Sequence, residues 1–114
     1  IVKSLCFMVK DEPLLVLTAG DRRVDTKALR LIRNASKHQV KIADPETVAR
    51  LTGFEVGGVP PLGHAQPLST LIDRSLARFE IVYAAAGTPN ALFGIAYHTL
   101  VEITGGEVFD LAEA

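Results

Sequence analysis

Val2-Lys3-Ser4-Leu5-Cys6-Phe7-Met8-Val9, then Lys10-Asp11-Glu12-Pro13, then Leu14-Leu15-Val16-Leu17 reads as strand, turn and strand. The first run is rich in Val, Leu, Phe and Met, residues that suit a pleated surface. The turn segment combines charge with proline. Four consecutive apolar residues at Leu14 to Leu17 describe a strand covered on both faces, hence a central one. A sheet therefore organises this chain, and the rest of the sequence is read as additions to it.

Gly20 and Asp21 end the second strand. Asp25 is an N-cap for a helix from Thr26 to Arg33, where Ala28, Leu29 and Ile32 form an apolar stripe. A short strand, Val40 to Ala43, leads into Asp44-Pro45, a capping aspartate followed by proline at the first helical position. That second helix ends near Gly53. Leu68 to Ile72 is a strand ending at Asp73, and Glu80 to Ala85 is another. Gly87-Thr88-Pro89-Asn90 makes a sharp turn into a strand from Ala91 to Ala96. A helix from Tyr97 to Thr104 closes at Gly105-Gly106, and Val108 to Leu111 is the last strand. The strands outnumber the helices, and the helices are short. The expected fold is α+β: one domain over residues 1–114, with a mixed, curved, partly barrel-like sheet and short helices packed on it. No repeat, low-complexity tract or linker interrupts it.

Composition narrows the function. The chain has 114 residues, 48% of them apolar and 22% charged, as in an ordinary globular domain. A net charge of -1 gives no basic field of the kind that dominates duplex binding. A protein that touches only the end of a nucleic acid remains compatible with it. Cys6 is the only cysteine, so neither an internal disulfide nor a Cys-based zinc site can form. His38, His64 and His98 are scattered and make no metal constellation. No apolar run approaches the roughly 20 residues of a membrane span, and no signal peptide is visible. The default expectations are a cytoplasmic monomer with no metal, cofactor or membrane partner. The chain begins at Ile1 directly in a strand, which suggests that upstream residues are missing.

The candidate functional residues start with Gly57-Gly58-Val59-Pro60-Pro61-Leu62-Gly63. Adjacent glycines allow positive φ and close approach, and adjacent prolines fix φ and remove two N–H donors. The outcome is a stiff loop whose remaining backbone polar groups are free to meet a ligand. Lys3 shares a strand face with Leu5 and Phe7. On spacing alone it reads as an edge lysine that snorkels to water. Asp73 reads as the cap of a helical turn begun by Arg74-Ser75-Leu76. His64 follows the special loop and is within reach of the same cleft, although a structural role accounts for it as well. Cys6 alternates with apolar neighbours and lacks a histidine partner, so it reads as structural. Arg22 and Arg23 cap and solvate the first helix. With Lys37, Lys41 and Arg50 they also form a modest basic rim.

These features resemble the YbaK/ProX family of aminoacyl-tRNA deacylases, the stand-alone relatives of the prolyl-tRNA synthetase editing domain. The resemblance runs through Lys3-Ser4-Leu5, Gly20-Asp21-Arg22-Arg23-Val24-Asp25 and Leu51-Thr52-Gly53. It continues through Pro67-Leu68-Ser69-Thr70-Leu71-Ile72-Asp73, Ala86-Gly87-Thr88-Pro89-Asn90-Ala91 and Leu100-Val101-Glu102-Ile103-Thr104-Gly105-Gly106. It implies hydrolysis of the ester that joins a wrong amino acid to the 3′-terminal adenosine of a tRNA, with no cofactor. Lys3 becomes the principal functional residue, and Gly57 to Pro61 matches the family's Gly-x-x-x-Pro loop that shapes the amino-acid pocket. The resemblance also carries over Gly58, Val59, Pro60, Gly87, Asn90 and Asp73. The implied substrate is tRNA-Pro carrying alanine, cysteine or serine (threonine is also handled within the family), with prolyl-tRNA synthetase as a partner. The chain departs from the family in lacking the N-terminal helix that helps wall the pocket. Two alternatives stay open: a non-catalytic module of the same fold that binds a tRNA end or a protein, and an editing domain belonging to a larger synthetase.

Overall fold

The computed structural model describes residues 1–114. Strand β1 (Val2–Val9) pairs antiparallel with β2 (Glu12–Ala19), from Val2 opposite Ala19 to Val9 opposite Glu12. The turn between them is tighter than the four residues expected. Lys10 and Asp11 alone make it, with φ of 52° and 64°, the positive pair that a two-residue hairpin of right-handed twist requires. Glu12 and Pro13 join the strand. Pro13 fits because the residues of β2 that bond to β1 are Glu12, Leu14, Val16 and Thr18, so the N–H it lacks would point away from β1.

Strand β3 (Val40–Ile42) adds to the other edge of β1. Strand β4 (Ser69–Asp73) lies parallel to β2, and β7 (Glu107–Phe109) parallel to β4. The order β3-β1-β2-β4-β7 is mixed, as expected, but the sheet is open and not partly barrel-like. It cannot close because β5 (Ile81–Ala85) and β6 (Leu92–Ala96) pair with each other in a separate two-stranded sheet. The last strand also lies earlier than Val108 to Leu111. Leu111 leaves the ladder because its N–H is taken by the Asp73 carboxylate at 2.7 Å, while its carbonyl accepts from the Asp25 amide.

The helices form where their caps are. Asp25 accepts from the Lys27 amide at the start of α1 (Thr26–Arg33), and Asp44 accepts from the Thr47 amide at the start of α2 (Pro45–Thr52). Gly53 and Gly105 end α2 and α3 (Tyr97–Thr104) in the left-handed conformation. No helix is long and apolar enough to cross a membrane.

Alternation in β1 and β2 builds a core layer on each face of the sheet. One layer joins Val2, Cys6, Leu15 and Leu17 to Val48 and Leu51 of α2, Val82 and Ala84 of β5, and Leu100 of α3. The other joins Phe7, Val9, Leu14 and Val16 to Leu29 of α1 and to Leu111. Leu15, Val16 and Leu17 are fully buried, as a central strand demands. Each such side chain contributes about 1.5–3 kcal/mol. For the site, the decisive feature is where β3 ends. It pairs only with Phe7, Met8 and Val9, and one further bond joins the Ala43 amide to the Cys6 carbonyl at 2.9 Å. The first half of β1 is left with an open edge.

Candidate functional site

Over that open edge lies a cavity of about 410 Å³, within the range of small-molecule sites. Its floor is residues 1–5 of the chain. Its walls are Val56, Gly57 and Val59 on one side and Ala85, Pro89 and Leu92 on the other. The two glycine-containing segments of the sequence therefore face the same space. They meet backbone to backbone: the Gly87 amide donates to the Gly58 carbonyl at 3.1 Å. A Cβ on Gly58 would lie 2.8 Å from Thr88 Cα and 2.9 Å from the Gly87 carbonyl oxygen. Glycine is required there by the close approach of two chains. Gly57, at φ 90°, lets the chain turn past the Pro89 ring.

This mutual contact changes the reading of the loop. Its backbone groups are less free than its composition suggests, because the Gly58 amide donates to the Glu55 carbonyl at 2.9 Å and the Gly58 carbonyl serves Gly87. Pro60 and Pro61 are buried. His64 turns back onto the loop and meets the Pro60 carbonyl through Nε2 at 2.7 Å. A carbonyl only accepts, so Nε2 is the protonated nitrogen.

Lys3 lines this cavity and also borders a second one of about 500 Å³, which Gly20, Asp21 and Phe79 help to line. Its ammonium donates to the Arg22 carbonyl and pairs with no carboxylate. The nearby Asp21 is committed elsewhere: Arg78 binds it at 2.9 Å and Arg22 lies 3.8 Å away. Hydrogen bonding from Arg78 holds the Asp21 carboxyl below its usual value. A cation beside an apolar cavity and without a counter-charge is suited to an anion or a developing oxyanion.

The remaining expected residues sit outside the cavity wall. Asp73 is 2% exposed, and its carboxylate accepts from the Ser75, Leu111 and Ala112 amides at 3.1, 2.7 and 3.1 Å. Burial pushes its carboxyl up, but these hydrogen bonds outweigh burial and hold it below the usual value. It caps the turn Arg74–Arg78, as its spacing predicts, and in addition ties down the C-terminal segment. Asn90 is exposed beside the Pro89 turn. Cys6 is buried in the core, where desolvation raises its thiol. Sequence reasoning passed over Val56, Leu92 and Ser4. Val56 and Leu92 are apolar residues left 57% and 53% exposed, a signal visible only once the fold is known. Ser4 carried a sequence signal, a lone hydroxyl between Val2 and Cys6 on an apolar face.

The geometry has close counterparts. A solved structure of a candidate trans-editing enzyme for prolyl-tRNA synthetase superposes with a TM-score of 0.93 at 40% identity, covering 99% of this chain and 70% of that one. The protein APE2540 superposes with a TM-score of 0.89 at 32% identity, covering 99% and 74%. Bacillus subtilis strain 168 has a relative, the uncharacterised protein YwhH, 33% identical over 96% of this chain and 68% of its own length. The proline–tRNA ligase of Lactobacillus gasseri is 35% identical over 63 residues, which are 55% of this chain and 11% of the ligase. The sequence pattern of the aminoacyl-tRNA editing domain matches residues 1–103. On these grounds the chain belongs to the aminoacyl-tRNA editing domain family.

Proposed function

We propose that the domain is a deacylase acting in trans, cleaving the ester of a mischarged tRNA, tRNA-Pro carrying alanine, cysteine or serine. One observation carries the reading: Lys3, whose ammonium meets no carboxylate, lines an apolar cavity together with Gly57 and Val59. The need for such a site follows from pocket energetics. A synthetase pocket built for proline gains only about 1–3 kcal/mol from a methylene, so a second sieve must supply the missing discrimination. Here the sieve is steric. The Gly58–Gly87 contact and the buried prolines fix the position of the wall, and a wall that does not yield rejects by size.

The chemistry asks little of the side chains. Water attacks the ester carbonyl carbon, and the bond to the ribose oxygen breaks. The ribose oxygen takes a proton, and the amino acid leaves as its carboxylate. An aminoacyl ester is already activated, so holding it and stabilising the oxyanion suffice. Lys3 holds the terminal phosphate or the reacting carbonyl, and the neighbouring ribose hydroxyl helps to activate the water. Gly57 to Pro61 select the amino acid.

The experiment is deacylation of tRNA-Pro charged with alanine, cysteine, serine or proline, with Lys3→Ala alongside. The expected result is rapid loss of one mischarged ester, sparing of prolyl-tRNA, and a drop of about 10²–10³ in rate on substitution, the size seen when an oxyanion donor is removed. Near-normal hydrolysis by Lys3→Ala would remove Lys3 from the mechanism. Retained tRNA binding with every ester intact would replace the deacylase with a binding module.

A further inference from the structure

The pairing of β1 leaves one residue with both main-chain groups turned into the cavity. On the β2 side, the bonded residues of β1 are Lys3, Leu5, Phe7 and Val9, a register extended by the Gly20 amide bonding the Ile1 carbonyl at 2.8 Å. Cys6 and Met8 therefore face β3, with Met8 opposite Lys41 and the Cys6 carbonyl receiving the Ala43 amide. Continued by one step, the same ladder would place Pro45 opposite Ser4. Pro45 has no N–H to give, and at that residue the chain turns away into α2. The Ser4 N–H and C=O are left facing the open edge, and Ser4 lines the cavity. Its hydroxyl is also buried without a partner. Unpaired polar groups in an apolar setting are costly unless a ligand completes them.

We infer that Ser4 captures the aminoacyl head of the substrate as a one-residue β-bridge in the place that Pro45 vacates. This rests on the editing reading above and names how that site holds its ligand. An α-aminoacyl ester carries the donor and the acceptor of a strand residue in the same order. Its α-ammonium donates to the Ser4 carbonyl, and its ester carbonyl accepts from the Ser4 amide, the exchange of a bonded antiparallel pair. Paired residues share a face, so the substrate side chain lies on the Ser4 side of β1, toward Val59 and Ala85. The bridge accordingly requires a free α-amino group and the L configuration. It also supplies the backbone donor that the Gly58–Gly87 contact withholds.

The test uses a non-hydrolysable probe, 3′-deoxy-3′-(L-alanylamino)adenosine, its des-amino counterpart and its D-alanyl isomer. Amide hydrogen exchange of the whole chain is followed by NMR. With the L-alanyl probe the Ser4 amide is expected to exchange at least about tenfold more slowly. Removing the amino group is expected to weaken binding about 10- to 100-fold, the effect of losing a hydrogen bond from a charged donor, and the D isomer is expected to bind at least tenfold more weakly. An unprotected Ser4 amide under bound probe, or equal affinity for the des-amino probe, would each overturn the bridge. If mischarged tRNA-Pro is hydrolysed in those cases, only the bridge fails. If neither probe binding nor hydrolysis occurs, the editing reading fails with it.

Discussion

Gly58→Ala separates steric from conformational demand at the cavity wall. Gly58 does not have positive φ, so alanine can adopt its backbone conformation. The obstacle is space: the new methyl would stand 2.8 Å from Thr88 Cα, 2.9 Å from the Gly87 carbonyl oxygen and 3.1 Å from its carbon, where ordinary contact begins at 3.4 Å. All three are main-chain atoms that cannot rotate away. The two loops must separate, which strains packing by about 1–3 kcal/mol and breaks the Gly87–Gly58 hydrogen bond, worth about 1 kcal/mol. The reduced freedom of the unfolded chain returns about 0.4–1 kcal/mol. The net loss is about 2–3 kcal/mol, a fall of roughly 8–24 °C in Tm at the usual 4–8 °C per kcal/mol for a small domain. Thermal and urea unfolding followed by circular dichroism measure it. Gly63→Ala is the control. Gly63 has φ of 80°, and a methyl added there would have nothing within 4 Å, so it loses only the 1–2 kcal/mol or so of left-handed strain. If Gly58→Ala were as stable as the parent, or less damaging than Gly63→Ala, the backbone-to-backbone wall would be refuted.

Asp73→Asn should cost about 2–3 kcal/mol, because an amide replaces the carboxylate that accepts from three main-chain N–H groups; equal urea midpoints for the two proteins would contradict this. The same carboxylate sets an acid limit. Its folded value lies below the ordinary 3.8, so its stabilisation is complete above the unfolded value and is lost as pH falls on through the lower folded one. The difference in Tm between parent and Asp73→Asn should therefore shrink below about pH 4, and a difference constant down to pH 2 would rule it out. His64→Ala removes the 2.7 Å contact with the Pro60 carbonyl and should cost about 0.5–1.5 kcal/mol. It should relax discrimination between alanyl and prolyl esters and leave alanyl-ester hydrolysis largely intact. Complete inactivation would instead place His64 against the substrate.

Much of this was written in short-range signals. Asp25, Asp44 and Asp73 cap the elements they precede, and α1 and α3 run over Thr26–Arg33 and Tyr97–Thr104 as their spacing indicates. Leu14 to Leu17 announce a central strand, and the glycine and proline pairs of Gly57 to Pro61 announce a stiff loop, whereas Lys3 reads on spacing alone as an edge lysine. Each signal acts within a turn or along one strand, so the sequence alone can express it. Tertiary structure decided the rest. Whether β5 and β6 join the main sheet, how Gly58 meets Gly87, and which amides reach Asp73 all depend on segments far apart in the chain. Even Pro45, legible as a helix start, reveals its second consequence only when β3 is seen beside β1. Its missing N–H ends the ladder opposite Ser4 and leaves a gap in the sheet edge. Local propensity specifies the elements; the cavity exists because two sheets and two loops pack against each other, and that arrangement is set by burial summed over the whole core.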